Sequence, residues 1–152
     1  MATMDELQDL LRTVKTVLVI DWPAKEVPIA LAQAGFQAIA RGGAGPEGFS
    51  AYELQGTEVV PRRTGRAPDH ADLVYSYRPL SELPGIAKTA SGLHAKAIWV
   101  QSGLRAEGVK DPRGCWLPDA GRRAAQEMVE AAGMRFFSEP YIVDVLRTAS
   151  LR

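Results

Sequence analysis

Apolar residues in this chain gather into short unbroken runs, with amphipathic stretches between them. Leu7, Leu10, Leu11 and Val14 recur at helical spacing, so residues 4–14 read as a short helix. The run VLVI closes a strand over residues 16–20, and its lack of polar alternation marks a strand buried on both faces of a parallel sheet. A turn, DWPAK, follows. Residues 25–34 then form a crossover helix, with Pro28 in the first turn and Gly35 as the stop.

FQAIA (36–40) reads as the second strand, RGGAGPEGFSAYELQG (41–56) as a glycine-rich loop, and TEVV (57–60) as a short edge strand. PRRTGRAPDHA (61–71) is loop. DLVYSY (72–77) is a strand, followed by a helix over 80–93 with Ser81 as its N-cap. KAIWV (96–100) is a strand and 101–118 a long irregular connection. Residues 119–133 form a helix between the cap Asp119 and the stop Gly133. MRFFS (134–138) is the last strand and YIVDVLRTA (141–149) the closing helix.

Strands alternating with helices predict a single α/β domain over residues 1–152. The expected architecture is Rossmann-like and doubly wound: a mainly parallel sheet of five or six strands in three layers, with VLVI and LVYSY adjacent at its centre. In such folds the loops after the strands share one edge, and ligands bind there where strand order reverses.

Composition narrows the class. With 152 residues, 46% of them hydrophobic, the chain suits one domain with a substantial core. Lys+Arg 18 balances Asp+Glu 18, which argues against nucleic acid or a membrane surface as partner. The one cysteine, Cys115, excludes an internal disulfide and fits a reducing compartment. The N-terminal stretch is acidic and amphipathic, unlike a signal peptide, and no apolar run approaches the roughly 20 residues of a membrane span. A cytoplasmic protein is the expectation.

The first strand-to-helix loop carries Asp21 and Trp22 and no glycine. Glycines there let backbone N–H groups approach a pyrophosphate, whereas a carboxylate repels phosphate and competes for the same N–H groups as a helix cap. Asp21 therefore reads as a cap, and Trp22 either stacks on a base or closes the edge of the core. ARGGAG is the better phosphate candidate: Arg41 suits a phosphorylated adenosine ribose, as in CoA or NADP, and Gly42, Gly43 and Gly45 allow close backbone approach. Arg78 follows an apolar strand and can pair with phosphate bidentately. Gln101, Ser102 and Gly103 add donors and open backbone after the next strand. Arg62, Arg63 and Arg66 read as a solvated basic loop. His70 and His94 have no second metal ligand at a useful spacing, and Cys115 and Ser102 have no acid–base partner in the sequence. With no catalytic or metal-binding constellation, binding is favoured over catalysis.

The phrase DLVYSYRPLSELPGI…HAKAIWVQSG, with the order of elements around it, resembles the small bacterial CoA-binding proteins, stand-alone relatives of the CoA-binding domain of succinyl-CoA synthetase. The resemblance covers nearly the whole chain and is strongest from Asp72 to Leu104. Tyr77 and Arg78 stand at that family's Phe-Arg, and Gln101, Ser102 and Gly103 at its QSG. The chain departs from the family in its glycine-free first loop, in IARGG where the family has PVNP, and in SEPYIV where it has an Arg-Cys turn. The resemblance implies a Rossmann-like fold that holds CoA without chemistry. Set beside it are NADP as the nucleotide of an enzyme, or a degenerate domain that has lost its ligand and acts through protein contacts. A homodimer or a protein partner fits either binding reading.

Overall fold

A computed structural model describes residues 4–20, 25–42, 48–76, 82–100, 119–138 and 142–149. Twelve elements follow in the order α1 (Met4–Thr13), β1 (Thr16–Ile20), α2 (Glu26–Gln33), β2 (Gln37–Arg41), β3 (Phe49–Gln55), β4 (Glu58–Arg63), β5 (Leu73–Ser76), α3 (Leu83–Gly92), β6 (Ala97–Val100), α4 (Asp119–Ala131), β7 (Arg135–Phe137) and α5 (Ile142–Ala149). They build a seven-stranded sheet in the order β4-β3-β2-β1-β5-β6-β7. The five strands from β2 to β7 through β1 are parallel, and β3 and β4 extend the sheet antiparallel on the β2 side.

The fold is the expected Rossmann-like one, with β1 and β5 side by side. The strand count differs from the expected five or six, because β3 lies where a loop was predicted. The 42–48 connection is too short for a crossover helix, so the chain can only turn back antiparallel. Gly42 N–H donates to the Gly48 carbonyl at 2.9 Å and closes that turn. A two-residue turn at Gly56 (φ 67°) and Thr57 then sends β4 back along β3. The closing pair of such a turn is hydrogen-bonded, so pairing alternates up the hairpin and puts Pro61 at a non-bonded site. Its missing N–H therefore faces the open side of the edge strand, which discourages pairing with another chain.

Strand side chains alternate between two cores. Val17, Val19, Leu73, Tyr75, Ala97 and Trp99 face α1, α2 and α5, while Leu18, Ile20, Val74, Ile98 and Val100 face α3 and α4. Fully buried Trp99 holds the first core together: its ring meets Tyr75 edge-on at 5.9 Å and Phe137 at 5.8 Å, across three adjacent strands.

Three helices end in the same way. After α2, α3 and α4, the N–H of the residue two beyond the last helical turn reaches back five positions, as Phe36 to Leu31, Ala95 to Ala90 and Met134 to Val129. The residue before each has positive φ: Gly35 (97°), His94 (59°) and Gly133 (86°). The predicted stops at Gly35 and Gly133 are therefore these turns. Ser81, expected as the N-cap of α3, lies outside the described residues; Glu82 holds the cap position and makes no side-chain cap bond.

Candidate functional site

Strand order reverses between β1 and β5. From β1 the chain runs through α2 to β2 on one side; from β5 it runs through α3 to β6 on the other. With α2 on one face and α3 on the other, a fold of this kind places its ligand crevice beyond the ends of β1 and β5, at Ile20 and Ser76.

The register puts one row of residues across that edge. Phe49 pairs with Arg41, Arg41 with Ile20, Ile20 with Ser76, and Ser76 with Val100. Paired residues on neighbouring strands point to the same face, so this row lies on the α3/α4 side. Ile20 and Ser76 are fully buried, and Arg41 is half-buried. Arg41 and Ser76 are two strand spacings apart, about 10 Å. The Arg41 guanidinium thus stands beside the carboxyl ends of the central strands, a setting suited to an anion.

Arg41 and Gly42 are the sequence-predicted site residues that the structure describes. Arg41 ends β2 in the row above. Gly42 is exposed, and its N–H is engaged by Gly48 within the turn, so anion contact from this position falls to the Arg41 side chain. Asp21, Trp22, Gly43, Tyr77, Arg78, Gln101, Ser102 and Gly103 lie outside the described residues, as does Cys115. The described strands β1, β5 and β6 end at Ile20, Ser76 and Val100, one residue before Asp21, Tyr77 and Gln101 respectively. The proposed helix cap at Asp21 also falls outside; the α2 cap position is Lys25, with helical angles and no side-chain cap bond. Ser76 was missed by sequence reasoning. It is the polar residue that closes the apolar run LVY, fully buried in the row between Ile20 and Val100.

The CoA binding domain profile matches residues 21–143. The chain belongs to the CoA-binding domain family. The match begins at the residue after β1 and ends within α5, so it takes in the ends of β2, β5 and β6 and the segment that follows β1. Three solved structures share the family chain's fold. A protein titled cell-free ID.343 from Thermus thermophilus has a TM-score of 0.63 at 16% identity, over 97% of this chain and 99% of that one. Prb, the PH1109 protein redesigned for binding, has a TM-score of 0.65 at 13% identity, over 100% and 95%. A hypothetical protein from Pyrococcus horikoshii OT3 has a TM-score of 0.64 at 14% identity, over 98% and 93%. No curated protein matches the chain.

Other sequence candidates resolve into structural roles. His70 sits at the opposite edge of the sheet, its Nε2 2.7 Å from Asp72 Oδ1. His94 is the left-handed residue after α3. Among the described residues no group of His, Cys, Asp or Glu is arranged to hold a metal ion, and no helix is long and apolar enough to cross a membrane. Arg62 pairs with Glu53 across the β3–β4 hairpin at 2.9 Å.

Proposed function

We propose that this chain is a non-catalytic binder of CoA or a short acyl-CoA, held at the crevice between the ends of β1 and β5. The observation that carries the reading is Arg41 on the same row as Ile20 and Ser76, beside the reversal of strand order, in a chain of the CoA-binding domain family. A half-buried guanidinium there fits the 3′-phosphate of CoA, for which an acidic residue at the end of the second strand would be unsuitable. Arg78 follows β5 in sequence and supplies a second cation for the pyrophosphate, while Gln101, Ser102 and Gly103 line the pocket after β6. The glycine-free DWPAK loop offers no close-approach backbone, so the phosphates rely on arginine side chains more than on a helix N-terminus. The cytoplasm, where CoA is held, is the proposed compartment.

The test is parallel calorimetric titration with CoA, dephospho-CoA, acetyl-CoA, NADP and ADP. Binding of CoA and acetyl-CoA in preference to NADP is expected. Preference for NADP would favour the enzyme reading. No binding of any of them at millimolar concentration would leave a domain that has kept the fold and works through protein contacts.

A further inference from the structure

A second opening lies away from the β1–β5 crevice. β2 and β3 pair only over residues 38–41 and 49–52. Where that pairing stops, Phe36, Gln37, Glu53 and Leu54 border an opening. A cavity of about 480 Å³ opens there. Helices α3 and α4 pack over β6 and β7, and among the described residues Thr64, Arg66, Ala67 and Pro68 line the cavity beside the β2–β3–β4 extension.

The lining is apolar in body and charged at one end. Ile39, Ala51 and Leu54 supply apolar wall, and Leu54 is the large hydrophobic residue left exposed among those described, at 49%. The charged wall residues are Glu53, Arg62 and Arg66. Glu53 and Arg62 neutralise each other, with Nε to Oε1 at 2.9 Å. Arg66 takes part only through its backbone carbonyl, which accepts from Thr64 Oγ1. Among the described residues, the cavity therefore carries one cation, Arg66, that no carboxylate answers.

We propose that this cavity is a second ligand site, for a monocarboxylate with a compact hydrocarbon body. Its volume is in the range of small-molecule pockets, about 300–1,000 Å³. The apolar wall takes the hydrocarbon, and Arg66 takes the carboxylate in a planar, two-point contact. With Glu53 and Arg62 paired to each other, Arg66 is the one wall cation left to meet an anion among the described residues, so a second negative charge, as on a nucleotide or a dicarboxylate, finds no partner and is disfavoured. The site is independent of the CoA crevice.

The experiment titrates the full chain with octanoate, octanamide and octylammonium, read by calorimetry and by amide chemical shifts. Octanoate should bind and shift Ile39 and Ala51, with octanamide about tenfold weaker. Arg66→Gln should bring octanoate down to octanamide, and Ala51→Phe should fill the cavity and abolish both. CoA affinity, measured in the same variants, should not change. Absence of octanoate binding at millimolar concentration overturns the proposal, as does an Arg66→Gln variant that still prefers the acid. Competition between CoA and octanoate also overturns it, by making the cavity part of the CoA site. If Ala51→Phe does not melt cooperatively, Arg66→Gln, an exposed substitution, decides alone.

Discussion

Asp72 Oδ2 accepts the backbone N–H of Thr16 at 3.1 Å and, on the same oxygen, that of Lys15 at 2.8 Å, so one carboxylate at the start of β5 fixes the start of β1. His70 Nε2 holds its other oxygen at 2.7 Å. Backbone bonds continue the tie: Asp72 N–H donates to Thr16, and Lys96 N–H donates to Asp72. The two central strands are thus aligned from the edge opposite the crevice, which sets where Ile20 and Ser76 end.

This arrangement makes stability depend on acid. Burial pushes the Asp72 carboxyl up, but donation from Lys15, the His70 ring and Thr16 outweighs it and holds the carboxyl below its ordinary value. A depressed folded pKa contributes stability that is complete above the unfolded value, about 3.9, and is lost as pH falls through the lower folded value. Asp72→Asn should cost about 1–3 kcal/mol at neutral pH and flatten that acid loss. Urea denaturation of both proteins at neutral pH and in acid reads the difference; parallel acid profiles would remove Asp72 from this role.

His94 stands where the same turn elsewhere uses glycine. Its φ of 59° is in the left-handed region, which costs an L side chain roughly 1 kcal/mol. His94→Gly should therefore raise stability by about 0.5–1 kcal/mol. Gly133→Ala should lower it by a similar amount. A Cβ at Gly133 would meet nothing within 4 Å, so the loss is conformational and not steric. Chemical denaturation of the two variants should show opposite shifts in midpoint at unchanged slope.

The aromatic row ties α5 to the sheet. Ile142 N–H donates to the Tyr75 hydroxyl at 3.5 Å, and Tyr75 leans on Trp99. Trp99→Ala should cost about 3–5 kcal/mol. Tyr75→Phe keeps the ring contact and removes the acceptor, so about 1 kcal/mol is expected. Hydrogen exchange should then show α5 amides opening more readily in Tyr75→Phe while β1 stays protected. Uniform loss across the sheet would mean that the hydroxyl does not act on α5.

Much of the fold was legible because its strands are short apolar runs. β1 matches the predicted residues 16–20, and Trp99, read as core, is fully buried. β3 was not legible in the same way. Gly42, Gly43, Gly45 and Gly48 precede it, and the strand mixes apolar Phe49, Tyr52 and Leu54 with polar Ser50, Glu53 and Gln55. The useful signal was the turn at Gly56-Thr57, with Tyr52 and Leu54 on one side and Val59 on the other. The site was legible only as strand ends. Which strand ends meet depends on strand order, a tertiary property, so Ser76 could not be placed beside Ile20 and Arg41 before the register was known.

Arg41 gives the sharpest test of the ligand. If CoA lies at the crevice, the Arg41 guanidinium meets the 3′-phosphate, and dephospho-CoA lacks that group. A charge-assisted hydrogen bond is worth roughly 1.5–3 kcal/mol when buried. Arg41 is only half-buried, so solvent screening lowers this, and Arg41→Ala should weaken CoA by about tenfold. Dephospho-CoA should lose much less, bringing the two affinities together. Arg78→Ala should instead weaken both ligands alike, since both carry the pyrophosphate. Asp21→Gly should improve binding or leave it unchanged, because it removes a repelling carboxylate from the first loop. Calorimetry on the three variants separates the roles. Equal losses for CoA and dephospho-CoA in Arg41→Ala would take Arg41 off the 3′-phosphate, and abolished binding in Asp21→Gly would make that carboxylate a ligand contact.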